Sequence, residues 1–256
     1  MNPNKNADRH FVVIDQGNTF TKVALFKENA ILSTRHFNPF SRNDLVKFLG
    51  ELSLDFESID SGIVCSVSAD SNTITCLFPE IKWISFDEKT PLPIVNDYQS
   101  KTTLGKDRLA GVVAASEKYP NRNVLVIDIG TAITYDIITS ENKYSGGSIS
   151  PGITIRFKAL NSFTDRLPLM QPTEISVLTG IDTNSSILTG VMNGTMFEIS
   201  GFISEYTQKY ENLITLITGG DAKYFDKILK SNIFAFENLV LCGLNLILLY
   251  NLEKNR

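Results

Sequence analysis

The chain has 256 residues, of which 43% are hydrophobic and 20% charged, with a formal net charge of −4. That length allows one large domain or two modest ones. The slight acidity, with lysines and arginines scattered singly, excludes a global attraction to nucleic acid or anionic lipid. The odd count of three cysteines, Cys65, Cys76 and Cys242, contains no CxxC spacing and argues against a disulfide framework or a zinc site.

Residues 1–10 are polar and read as a frayed leader. Phe11–Ile14 is an apolar strand running into the turn Asp15-Gln16-Gly17-Asn18. Lys22–Lys27 and Ala30–Phe37 read as a hairpin over Glu28-Asn29. Ser41–Leu52 carries Leu45, Phe48, Leu49 and Leu52 at helical spacing, with Ser41 or Asn43 as N-cap. Gly62–Val67 and Lys82–Ser85 are further strands, and Asp87–Asp97, with Pro91 and Pro93, is loop. Asp107–Tyr119 is a helix stopped by Pro120.

A second set then begins. Val124–Ile127 is a strand ending in Asp128-Ile129-Gly130-Thr131, followed by strands at Ile133–Thr139 and Lys143–Ile149. Helical patterns occupy Ser185–Tyr210 and Asp221–Lys230, and Leu213–Thr218 and Asn238–Leu241 read as strands. The apolar stretch Leu239–Tyr250 is broken by Gly243 and Asn245 and is too short to span a membrane. With no secretory segment near Met1 and free thiols, the expected location is the cytoplasm, with no membrane or nucleic-acid partner.

The restart is an internal repeat. Val13–Thr21 lies over Val126–Thr134, matching at two apolar residues, the Asp, the Gly and the final Thr. Each copy leaves an apolar strand, turns at glycine and enters another strand. The expected architecture is α/β and duplicated: residues 1–119 and 120–256 as two βββαβα-like halves facing each other.

Each turn follows a strand-end carboxylate with glycine and hydroxyl or amide residues. Glycine lets backbone N–H groups approach an anion closely. Thr19, Thr21, Thr131 and Thr134 add hydroxyl donors and Lys22 a cation, while a carboxylate near phosphate makes sense as a cation ligand. Leu216–Ala222 contains Gly219-Gly220, leaving room for a base or ribose, and Ser145–Gly152 reads as a glycine-rich loop opening a helix. Taken singly, an Asp-x-Gly is a turn and a Gly-Gly pair a helix stop. Two matched Asp-x-Gly turns with a downstream Thr-Gly-Gly-Asp favour phosphate binding. No P-loop or GxGxxG motif is present.

With only His10 and His36 in the chain, acid–base work falls to a carboxylate. Asp107 in Gly105-Lys106-Asp107-Arg108 opens a helix. It reads either as an N-terminal acidic residue favoured by the helix dipole or as the acceptor of a proton from an attacking alcohol. In the second reading Arg108 orients an anionic group on the substrate.

At these residues the chain resembles the type III pantothenate kinases, within the actin-like ATPase superfamily of duplicated ribonuclease H-like folds. The carriers are Asp15–Lys22, Tyr98, Gly105–Arg108, Asp128–Asp136, Gly146–Gly152, Ala159-Leu160, Leu167-Pro168, Thr183, Thr218–Ala222 and Leu239–Leu244. The resemblance implies that ATP lies in the cleft between the halves. It would be bound by Asp15, Gln16, Gly17, Asn18, Thr19, Phe20, Thr21 and Lys22, with Thr131, Gly219 and Gly220. Asp107 would be the general base. Tyr98, Gly105, Lys106 and Arg108 would line the pantothenate pocket, with Thr183 contributing. Asp15 would face Mg2+, and Asp128 would hold K+ or NH4+. The family also implies a homodimer and 4′-phosphopantothenate as product, the first step toward coenzyme A. One departure is Asp182, where the family pattern leads one to expect a basic or neutral residue before Thr183. The competing readings are a kinase for another small alcohol, a non-catalytic ATP-binding regulator, and a polyphosphate or nucleotide hydrolase.

Overall fold

The computed structural model describes residues 9–17, 20–66, 71–228 and 232–254. The chain divides into two compact units, Met1–Ala114 with Asn238–Arg256, and Ala115–Glu237.

The first unit is laid down as β1 (His10–Gln16), β2 (Thr21–Lys27), β3 (Ala30–Phe37), α1 (Arg42–Glu51), β4 (Ile59–Ser66), the short α2 (Ser71–Thr75), β5 (Trp83–Ser85), β6 (Val95–Asn96) and α3 (Lys106–Lys118). α3 runs past the division between the units. β1, β2 and β3 form an antiparallel meander, and β4 and β5 extend it in parallel on the other side, giving the order β3-β2-β1-β4-β5. β1 is central, and Phe11–Ile14 is wholly buried, so both of its faces are apolar. α1 buries Leu45, Phe48 and Leu49 on this sheet, and its Ser41 cap donates its N–H to the Asp44 carboxylate at 2.8 Å. The loop expected at Asp87–Asp97 holds, apart from the two residues of β6.

The second unit repeats the plan. β7 (Val124–Ile129), β8 (Ala132–Ile138) and β9 (Lys143–Pro151) form the meander, followed by α4 (Ile153–Ser162), α5 (Thr183–Lys209), β10 (Ile214–Thr218), a 3-10 segment (Ala222–Ile228) and β11 (Ile233–Ala235). The unit's own five strands run in the order β9-β8-β7-β10-β11, which matches β3-β2-β1-β4-β5, with the same parallel and antiparallel pairings. The duplication read from two short loops therefore extends to the order and direction of five strands in each unit. α4 and α5 bury Ile153, Phe157, Ile187, Val191 and Ile199 against this sheet.

Four local expectations are corrected. Ser145–Pro151 belongs to β9 and is not a loop. A Cβ on Gly147 would fall 1.8 Å from the Tyr135 carbonyl, so that glycine serves close strand approach. Asp221–Lys230 is not an α-helix: its described part is 3-10, with non-helical dihedrals at Phe225. Asn238–Leu241 is not a strand. Leu239–Lys254 is one helix, α6, buried on several sides, and such a helix lacks the one-faced periodicity that would announce it. The strand preceding it is β11. Finally, the repeat slips after its glycine. Gln16 pairs with Thr21 but Ile129 pairs with Ile133, so the first turn is one residue longer.

α6 packs on β1 and β4 and so lies with the first unit, whereas the sequence boundary at 119/120 grouped it with the second half. Asn245 Nδ2 donates to the Glu28 carbonyl at 2.9 Å, and buried Asn251 Nδ2 donates to the Pro91 carbonyl at 2.9 Å.

Candidate active site

In the first unit the strand ends and the start of α3 gather charge. Asp15, in β1, faces Lys22 across the β1–β2 ladder and Cys65 across the β1–β4 ladder. Its side chain is buried. Burial pushes its pKa up from 3.8 to about 6, Lys22 pulls against that rise, and the charge of Asp107 adds to it. Asp107 lies in the first turn of α3, where its Oδ1 accepts the Arg108 backbone N–H at 2.9 Å. A Cβ on Gly105 would meet that oxygen at 2.5 Å, so the carboxylate folds into space that only glycine leaves open. Arg108 is buried, with its guanidinium carbon 5.8 Å from the centre of the Tyr98 ring.

Cys65 reports the same field. Burial raises its thiol pKa well above the ordinary value; Asp15 and Asp107 add to this, and Lys106 opposes it. Cys65 is therefore a neutral thiol and no nucleophile at neutral pH. The structure thus brings Asp15, Lys22, Lys106 and Asp107 together, with Tyr98 and Arg108 alongside. Gln16 is drawn inward, its Oε1 accepting the Ser66 hydroxyl at 2.8 Å. Gly17 N–H donates to the Phe20 carbonyl at 3.1 Å and closes the turn; Thr21 is buried and Phe20 half-exposed. Asn18 and Thr19 lie outside the described residues. Ser66, which holds Gln16, was not singled out from the sequence. Its signal was its place at the end of β4, the counterpart of the Thr-Gly-Gly-Asp strand.

In the second unit Asp128 is the penultimate residue of β7, and Gly130 N–H donates to the Ala132 carbonyl at 3.0 Å. Gly219, just after β10, has φ +99°, and a Cβ there would fall 2.5 Å from Asp128 Oδ1 and 2.3 Å from the Ile129 carbonyl. The exposed Thr131 and Gly220 flank this corner. Asp221 N–H ties the loop to the Ile129 carbonyl at 3.0 Å, and burial raises the Asp221 pKa against the opposing Lys223. Thr183 is the exposed first residue of α5. The departure at Asp182 has a local cause: it is the N-cap, accepting the Ser185 N–H at 2.8 Å.

Each unit thus carries a carboxylate one residue before the end of its central strand, beside a glycine turn. Among the described residues no cluster of three or more His, Cys, Asp or Glu side chains is grouped to hold a metal, and no helix is long and apolar enough to cross a membrane.

The solved structures resembling this chain include a Campylobacter jejuni protein described as a conserved putative Baf family transcriptional activator. It is 19% identical, with a TM-score of 0.61, covering 94% of this chain and 99% of that one. Another is the activator of the 2-hydroxyisocaproyl-CoA dehydratase from Clostridium difficile, with bound ADPNP. It is 12% identical, with a TM-score of 0.57, covering 96% and 97%. At such identities the likeness shows the fold alone, the duplicated ribonuclease H-like fold of the actin-like ATPases. Sequence relatives go further. A type III pantothenate kinase of Christiangramia forsetii is 43% identical over 241 residues, covering 94% of this chain and 98% of the relative. The family model described as type III pantothenate kinase matches residues 11–205. The chain belongs to the type III pantothenate kinase family.

Proposed function

We propose that this chain transfers the γ-phosphoryl group of ATP to the primary hydroxyl of pantothenate, with Asp107 as general base. The product, 4′-phosphopantothenate, opens coenzyme A biosynthesis. Family membership supports the reaction and the acceptor. The observation that carries the residue roles is the place of Asp107 in the first turn of α3, its carboxylate folded into the space that Gly105 leaves, next to the buried Arg108 with Tyr98 over it.

In this reading the hydroxyl oxygen attacks the γ-phosphorus, the bond to the ADP oxygen breaks, and the hydroxyl proton passes to Asp107. Positioning and charge stabilisation supply most of the catalysis, and a placed base contributes ~10²–10⁴ in rate. Tyr98, Gly105, Lys106 and Arg108 line the acceptor side, with Thr183. Arg108, fixed under Tyr98, presents a planar fork suited to the pantothenate carboxylate. The Asp15–Lys22 turn holds phosphate, with Asn18 and Thr19 in it, and Thr131, Gly219 and Gly220 take the rest of the nucleotide.

Two cations fit the donor sets. The buried Asp15 carboxylate, crowded by Asp107, would be returned to its ionised form beside Mg2+. Asp128, with the backbone of Gly219 against it, offers hard oxygen chemistry suited to K+ or NH4+. When bound, the metal neutralises phosphate charge that develops during transfer. A homodimer is supported by the second unit's surface. Ile181 and Phe163 are 96% and 88% exposed, and a groove of about 850 Å³ between β9 and α5 carries Phe197, Phe202, Tyr206 and Tyr210. The enzyme's use of ATP supports a cytoplasmic location.

The test follows ADP release from MgATP with pantothenate, in potassium and in sodium buffer, for wild type and Asp107→Asn. Pantothenate-dependent turnover that needs potassium and collapses in the variant supports acceptor, cation and base together. Turnover with a different alcohol alone discards the acceptor. ATP binding without turnover on any acceptor favours a regulator.

A further inference from the structure

The second unit contains a polar cluster that the proposed chemistry does not use. Glu198, on α5, accepts three side-chain donors: Tyr135 Oη at 2.8 Å, Ser150 Oγ at 2.5 Å and Arg156 Nη2 at 2.5 Å. The donors come from β8, β9 and α4, so one carboxylate ties four elements together. Burial works against the charge on Glu198, but hydrogen bonds from Ser150, Arg156 and Tyr135 still hold its pKa below the usual range. Burial and the neighbouring Glu198 push the Tyr135 hydroxyl pKa well up, so it stays a donor.

The other end of the cluster reaches the second glycine turn. Arg156 Nε donates to the Pro151 carbonyl at 2.8 Å. Pro151 pairs with Ala132, and Gly152 N–H donates to the Thr131 carbonyl at 3.1 Å. A Cβ on Gly152 would lie 2.1 Å from the Gly130 carbonyl and 2.5 Å from that of Thr131. The backbone of Gly152 therefore rests directly on the Gly130–Thr131 turn, and Arg156, held by Glu198, fixes the peptide before it.

We infer that Arg156 and Glu198 are positioning residues: they clamp Pro151–Gly152 and so hold the Gly130–Thr131 turn in its nucleotide-binding shape. This rests on the reading of that turn as part of the ATP site. An exposed turn makes few contacts of its own, so its order must come from what it leans on. If the cluster only anchored α5 to the sheet, its loss would lower stability without favouring one substrate over the other.

The experiment compares Glu198→Gln, Arg156→Lys and Thr131→Ala with wild type by amide hydrogen exchange and steady-state kinetics. Glutamine keeps an acceptor for Tyr135 and Ser150 but removes the charge that holds Arg156. Exchange at residues 130–132 and 152 should rise, and KM for ATP should increase roughly tenfold, the loss of one charge-assisted hydrogen bond. KM for pantothenate should stay near wild type, while the melting temperature falls by a few degrees because the carboxylate also joins α5 to β8, β9 and α4. Arg156→Lys, which keeps the charge but not the planar fork, should be intermediate. If Glu198→Gln does not fold, Arg156→Lys decides on the same readouts. Unchanged exchange at residues 130–132 in the folded variants overturns the clamp, whatever happens to the melting temperature. Faster exchange with an unchanged KM for ATP supports the clamp and overturns the ATP reading of the turn, which an unaltered KM in Thr131→Ala reports separately.

Discussion

Replacing Asp15 by asparagine should make the ligand-free protein more stable and the enzyme worse. Asp15 takes up a proton more readily in the folded chain than in the unfolded one, because folding buries it beside Asp107. Its folded pKa of about 6 against an ordinary 3.8 means that ionising it in the fold costs about 3 kcal/mol. The sign follows from linkage. Below about pH 4 the carboxyl is neutral in both states, and wild type and Asp15→Asn should melt together. Between about pH 4 and 6 wild type loses stability relative to the variant, and above about pH 6 the gap stays constant. At ~2–4 °C per kcal/mol for a chain of this size, the gap at pH 8 is up to ~6–12 °C. Thermal melts of both proteins from pH 4 to 8 measure it directly. Saturating MgATP should narrow or reverse the gap at pH 8, because the ionised carboxylate then has a partner. A variant that melts below wild type at pH 8 without ligand, or a gap that does not change with pH, would refute the reasoning.

Other substitutions test other parts of the site. Gly219→Ala places a Cβ at φ +99° and 2.5 Å from the Asp128 carboxylate, so it should cost roughly 1–3 kcal/mol in denaturant unfolding and weaken ATP binding in calorimetry. Arg108→Lys loses the planar fork and the approach to Tyr98, and should raise KM for pantothenate at least ~10-fold while leaving KM for ATP nearly unchanged. Gly243→Ala drives a Cβ to within 1.8 Å of the Ala110 carbonyl on α3, and should lower the melting temperature by several degrees because backbone cannot yield there as a side chain can.

Much of this was legible in local sequence. The apolar runs before Asp15 and Asp128 foretold central strands, and the shared Asp-x-Gly turns foretold a duplication that the strand order bears out. The readings that failed depended on surroundings. The apolar run Leu239–Leu241 is compatible with strand or helix, and only its packing on β1 and β4 decides. The glycines of β9 resemble a loop until Gly147 is seen against the Tyr135 carbonyl. The hydrogen bond from Ser66 to Gln16 and the field of Asp107 at Asp15 join residues far apart in sequence, and no spacing rule encodes them. The Glu198 cluster was hidden for the same reason: its four members come from four elements.

The central claim is that Asp107 acts on the chemical step and not on nucleotide binding. The most direct measurement is ATP affinity by calorimetry together with single-turnover formation of 4′-phosphopantothenate, for wild type and Asp107→Asn. The account predicts an ATP Kd within about threefold of wild type and a transfer rate lower by ~10²–10⁴. A variant that transfers at the wild-type rate, or one whose whole defect is lost ATP affinity, would contradict it.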